Sequence, residues 1–538
     1  MFLFQRLIVS IAVFFVFPSV FAHASPSSKL GSVNFPTSGS PETQKLFLRG
    51  VAALHSFWYD EALKSFQEST KVDPNFVMGY WGEAMTHNKP LWEKQDTEAA
   101  REALTKIKDI SKITVRELSY LEAVMHLYGD GDKKSRDKAY ANAMEKIYRQ
   151  YPEDLEAACF YSLSLLGVSR HEANKLRSKV KAGALAMEVF QKNPEHPCSA
   201  HYTIHAFDHP DLAILALPAA RRYAEIAPAS HHANHMPAHI FVQLGMWPEA
   251  VASNEAGWKY SKEWVEREGL PISKRDYHSL QWLHYVTLQQ GKYEKADIIF
   301  QEKLKDIEKA VKSSEGLNAK VNRRTAKYID RMVAASVFEK EQWEFALSFI
   351  EPPGWKPKKY NQATLLFVRG FAAAKLGSSD ADKYLADLQS IRAEGFKENH
   401  YERLDMLDVW ISQIEAVKHA NKKNFVEAID FAKKAILSEQ KLPDPSGPPK
   451  VLKPSYELLG EIQLQVGNAK EAAKQFAISI SRHTNRVRSL VGAARATSAS
   501  GDKESAKDWY YKFLTTWAKA DKSLPELAEA KAFLDLKK

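Results

Sequence analysis

The sequence predicts an all-α solenoid of antiparallel helix pairs, and three observations carry that expectation. Helical stretches of about 12–18 residues alternate with short breaks along most of the 538 residues, and no stretch sustains the alternation of a strand. Small residues and aromatics return at fixed intervals: Gly50, Ala62, Phe66 and Pro74 near the start are echoed by Gly460, Ala472 and Phe476 near the end. A glycine five residues ahead of an alanine recurs as Gly245–Ala250, Gly291–Ala296, Gly467–Ala472 and Gly501–Ala506.

Taken in order, the chain opens with a secretory pattern. Arg6 supplies the positive start, Leu7 to Val20 is apolar, and Ala22-His23-Ala24 fits the small-x-small rule, so cleavage is expected after Ala24. An uncut anchor is the competing reading, but roughly 14 apolar residues fall short of the about 20 that a span needs. No other stretch is long and apolar enough to cross a bilayer, so no transmembrane segment is expected after cleavage. Residues 25–42, rich in Ser, Pro and Gly, read as a flexible leader. The solenoid then runs over 43–442, with units near 43–76, 77–110, 115–152, 154–194, 196–229, 231–264, 277–310, 327–354, 361–395 and 401–442. The second, fourth and eighth fit poorly. Residues 443–454 lie in the Pro-rich stretch KLPDPSGPPKVLKP and read as a linker, and 455–538 hold the C-terminal repeats.

These spacings resemble the tetratricopeptide repeat (TPR), a pair of antiparallel helices in about 34 residues. Glycine takes the left-handed turn, alanine lets the helices approach closely, and the aromatic fills the gap toward the next unit. The resemblance implies a right-handed superhelix whose first helices line a concave groove.

Composition narrows the partners. The formal net charge is +9, but the cations are spread over many amphipathic stretches rather than gathered in one block. That pattern and export argue against a nucleic-acid role. The two cysteines, Cys159 and Cys198, match no zinc or disulfide framework, and either a disulfide or two buried thiols is open.

The chemical signal is histidine. Eight of the 18 histidines fall between His196 and His239. His201 and His205 are four apart, as are His235 and His239, so each pair shares a helix face. Both pairs sit on first helices of adjacent units. An i, i+4 imidazole pair is a bidentate clamp, and helix axes about 10 Å apart let two clamps reach one ion. The expected ligands are His201, His205, His235 and His239, with His232 and Asp208 as supporting or substitute ligands. His278 is placed to approach the same groove, whereas His284 is turned away. Zinc or copper suits such a nitrogen set, and iron if carboxylates join. Polar small-ligand or peptide binding, and a purely structural imidazole network, are the alternatives. The aromatics Phe57, Trp58, Tyr80, Trp81 and Trp92 are expected in the N-terminal core.

The segments HSFWYDEA, YWGEAM, AHYTIHAFDHP and IAPASHHANHMPAHIF together resemble a family of exported bacterial TPR proteins with a histidine-rich centre. The resemblance places recurrent polar positions at His201, His205, Asp208, His232, His235 and His239 and brings no reaction with it. Cys198 departs from the small residue expected there. The function expected is an exported, periplasmic or secreted solenoid binding a transition metal through its histidines. The alternatives are a scaffold binding a peptide or envelope partner in the groove, and a metal-dependent enzyme acting on envelope material.

Overall fold

The structure, a computed structural model, describes residues 29–172, 174–313, 323–352, 355, 357–395 and 401–535. The expected signal segment lies outside the described residues. Seven helix pairs run from the start: α1 (Pro41–His55) and α2 (Tyr59–Val72), α3 (Val77–Thr86) and α4 (Thr97–Thr105), α5 (Val115–Leu127) and α6 (Lys133–Gln150), α7 (Leu155–Val168) and α8 (Lys175–Lys192), α9 (Pro197–Phe207) and α10 (Ala213–Ile226), α11 (His231–His235) continued by α12 (Pro237–Gln243) and paired with α13 (Trp247–Arg267), and α14 (Tyr277–Gln289) with α15 (Tyr293–Lys312). Five further pairs carry the stack from Ile329 to Thr516, and Pro525–Phe533 closes it.

The recurring small residues act as the sequence implies. A Cβ at Gly50 or Gly82 would overlap the Phe66 ring, and one at Gly460 or Gly492 would overlap Phe476, so one aromatic is clasped by two successive first helices. Gly245, Gly291, Gly467 and Gly501 end their helices at φ of 65°, 66°, 88° and 87°, the left-handed region that glycine enters without strain. Side-chain caps start several first helices: Thr114 and Glu117 form a capping box on α5, and Asp154, Ser230 and Asp276 cap α7, α11 and α14. The poorly fitting units are irregular for visible reasons. Between α3 and α4, Asn88–Lys89 pairs antiparallel with Lys94–Gln95 around a short turn carrying Trp92. A 3-10 turn, Ser169–His171, follows α7, and the eighth pair has a second helix of only 6 residues, Trp343–Ser348.

The stack also folds back on itself. Lys274 reaches Asp60 at 2.8 Å, and the rings of Trp58 and Trp264 meet at 6.0 Å, so the first pair touches the sixth. Farther on, the Trp247 indole donates to the Asn485 carbonyl at 3.0 Å and the Trp517 indole donates to Gln289 at 3.2 Å. Arg486, 1% exposed, is held between Glu339 at 2.5 Å and Glu457 at 2.9 Å. The C-terminal repeats are therefore fastened to the middle of the chain.

Two stretches of loop-like composition are held in place by specific contacts. The described part of the leader is not loose: the Ser32 N–H donates to the Glu195 carbonyl, and Phe35 is fully buried against Phe47, Trp81 and Tyr120. Its polar composition hid one aromatic that closes the end of the core. Residues 443–454 are not a free linker either. Pro445 accepts from the Gln243 amide at 2.7 Å, Asp444 lies 3.1 Å from His209, Gly447 packs on Trp282, and buried Lys453 pairs with Glu457 at 2.8 Å. The segment is a strap laid across the inner face. Cys159 and Cys198 form a disulfide joining α7 to α9, with Cα atoms 6.0 Å apart. Among the described residues no helix is long and apolar enough to cross a membrane.

Candidate metal centre

The histidines gather where α9, α11, α12 and α14 lie side by side. His201, on α9, is fully buried. Its Nδ1–H donates to the His55 carbonyl at 2.6 Å, which leaves the Nε2 lone pair free and fixes the ring. Two more Nε2 atoms approach that nitrogen: His205 at 3.1 Å, one turn on, and His232 at 3.2 Å, from the next first helix. One lone pair cannot accept from both, so hydrogen bonding alone does not satisfy the three rings. The spacing has another meaning. A zinc–nitrogen distance of about 2.0–2.1 Å implies tetrahedral nitrogen–nitrogen edges of about 3.3–3.4 Å.

A second group repeats the arrangement one unit along. His235 on α11, His239 on α12 and His278 on α14 present ligand atoms within 4.8 Å of one another, as His201, His205 and His232 do. His235 Nδ1–H donates to Asn254 at 2.7 Å, and His239 Nδ1 lies 2.8 Å from Asp208, so both Nε2 atoms are turned away from these partners. The ring spacings match: 4.8, 5.0 and 6.4 Å in the first group, and 5.2, 4.7 and 6.3 Å in the second. His201 and His235 each stand at the centre of their group, and each group combines an HxxxH pair with the second residue of the next first helix.

Burial favours the neutral form of five of these rings, His201, His205, His232, His235 and His278. Burial pushes His201 down to about 3 and His235 down to about 4, and it holds His205, His232 and His278 well below the usual imidazole range. Neutral imidazole is the ligating form. Burial works against ionising Asp208, but the charge and hydrogen bond of His239, with a second hydrogen bond from Gln243, keep its carboxylate below the usual range. Asp276 is likewise held well below, its burial outweighed by the hydrogen bond and charge of His231, 3.4 Å away.

Behind the first group lies a buried support. Glu156, on α7, accepts from His55 Nε2 at 2.7 Å and from His196 Nε2 at 2.9 Å. His196 Nδ1 then accepts from the Cys198 N–H and caps α9, while His55 Nδ1 lies 2.8 Å from the Tyr202 hydroxyl. Although burial raises a carboxyl, the two imidazoles take Glu156 down to about 2. Phe57, left-handed at φ 53° in the α1–α2 turn, sets its ring 4.2 Å from His201. Trp282 closes on His239 at 4.4 Å. A cavity of ≈ 450 Å³ opens beside both groups, lined by His205, His232, His239 and His278 with Lys179 and Tyr328.

No protein-family model matches the chain, and neither does any curated protein. Solved structures that overlay most of it include the human IFIT1 dimer with m7Gppp-AAAA, at 13% identity over 90% of this chain and 92% of that one, with a TM-score of 0.33. Yeast Tom70 overlays 92% of this chain and 96% of its own at 10% identity, TM-score 0.33. The P58(IPK) TPR domain overlays 71% and 98% at 11%, TM-score 0.23. By its own repeat geometry, the chain is a TPR-type α-solenoid.

The structure brings all six expected site residues together, but not around one point. His201, His205, His235 and His239 divide between two groups. His232 is a full member of the first, His278 completes the second, and Asp208 stands behind His239. His284 lies elsewhere, 3.1 Å from Ser336. Of the five aromatics, Phe57, Trp58, Tyr80 and Trp81 are buried, while Trp92 is 46% exposed and borders the histidines. Glu156, Asn254 and Asp276 carry no sequence signal, because acids and amides near helix starts are common.

Proposed function

We propose that this protein is an exported solenoid that binds a transition metal through His201, His205 and His232. The observation that carries the reading is the approach of two Nε2 atoms to the one free lone pair of His201. Three neutral imidazoles suit zinc or copper, and the cavity beside them is where a water or small substrate would complete the coordination. The Cys159–Cys198 disulfide supports the export part of the reading, because such bonds persist in oxidising compartments.

Elemental analysis of native, untagged protein tests this. Wild type should carry zinc or copper and His201→Ala should lose it. A metal-free wild type that also takes up neither ion in titration refutes the reading. A second reading, a scaffold engaging a protein or peptide, is favoured by the cleft of ≈ 330 Å³ beside the strap, whose walls include Lys327, Arg331 and Arg482. Capture of one defined envelope protein, undisturbed in His201→Ala, would support it.

A further inference from the structure

The second histidine group has its own claim to an ion. We infer that His235, His239 and His278 form a separate three-imidazole site, so that the cluster is a binuclear centre rather than one four-nitrogen site. This rests on the reading that the first group binds metal.

Three observations on the second group point to a ligand. His235 is fully buried, its Nδ1–H is committed to Asn254, and its Nε2 has no hydrogen-bond partner among the described residues. His278 Nδ1 is also buried without such a partner. His239 is oriented by Asp208, a carboxylate behind an imidazole, which raises ligand basicity and fixes the tautomer. A packed structural network pairs most of its buried polar atoms, and these two rings each keep one buried nitrogen without a partner among the described residues.

The repeat supplies the reason for two sites. His201 and His235 are 34 residues apart, as are His205 and His239, so each HxxxH pair occupies the same place in successive units. His232 and His278 each sit second in the following first helix. Each ion is therefore shared by two neighbouring units, and the middle unit contributes to both. The groups adjoin: His205 and His239 lie 6.0 Å apart, and His232 and His235 lie 6.3 Å apart, no farther than the outer rings within one group. Asp208 and Asp276 supply two carboxylates to balance the added charge. A small ligand in the shared cavity can touch both ions at once.

The test is Zn(II) titration of full-length protein prepared metal-free, read by competition with a chromophoric chelator. Wild type should bind two Zn(II) per chain, His278→Ala one and His232→Ala one. His278→Gln, which keeps the side-chain volume, stands in should the alanine variant fold poorly by circular dichroism. Two Zn(II) retained in both His278 variants, or only one in wild type, overturns the binuclear inference and leaves the proposed function standing. A wild type that takes up neither Zn(II) nor Cu(II) sinks both. Loaded with Cu(II), the wild type should show an EPR spin count below its copper count, whereas His278→Gln should give one full spin per copper; a full count in wild type overturns the adjacency.

Discussion

Acid should unfold the metal-free protein early. His201, His235 and His284 are fully buried, and burial lowers them to about 3, 4 and 3. In the unfolded chain each titrates near 6.5. The folded pKa lies below the unfolded one, so below pH 6.5 the unfolded state binds more protons and stability falls as pH falls. Each ring contributes about 1.4 kcal/mol per pH unit, and all three stay neutral in the fold down to pH 4.5. Together they remove about 8 kcal/mol between pH 6.5 and 4.5, comparable to the whole stability of many proteins, about 5–15 kcal/mol. Urea titrations at pH 7, 6, 5 and 4.5, followed by tryptophan fluorescence and near-ultraviolet circular dichroism, would measure this. The expected slope below pH 6 approaches 4 kcal/mol per unit, and saturating Zn(II) should move the transition to lower pH. A metal-free protein at pH 4.5 within about 1 kcal/mol of its pH 7 stability would refute the argument.

Other consequences can be measured directly. Glu156→Ala strands two imidazole donors in the interior and should cost about 3–5 kcal/mol in chemical denaturation, with weaker metal uptake because His55 positions His201. Reducing Cys159–Cys198, which closes a loop of 39 residues, should cost about 4 kcal/mol, seen as a lower thermal midpoint with reductant than without. Gly447→Ala puts a Cβ into Trp282 at a φ of +71°, so limited proteolysis should cut the strap faster than in wild type, at a stability loss of about 1–3 kcal/mol.

Much of the fold was legible because repeat chemistry is local. Gly50, Phe66 and Gly82 show why: an aromatic clasped by glycines on neighbouring helices leaves a fixed interval in the sequence. The HxxxH pairs were legible for the same reason, since one helix face is a local property. What escaped notice depends on the superhelix closing. No spacing brings His55 to His201, 146 residues away, or seats Phe57 on the histidines. The division of the cluster into two groups likewise hinges on how far one first helix is displaced from the next. In the leader and strap, Ser, Pro and Gly suggest looseness, while Phe35, Leu442 and Val451 do the anchoring.

A repeat stack whose units touch only their neighbours unzips from its ends and stretches like a spring. Arg486 between Glu339 and Glu457, and Trp517 on Gln289, deny this chain that behaviour. Tugging on the C-terminal coils pulls on the middle ones, so loss of order should spread through the whole stack in a single event. The imidazoles thus sit in a frame cross-braced from both ends, which suits ligands whose usefulness depends on holding tenths of an ångström.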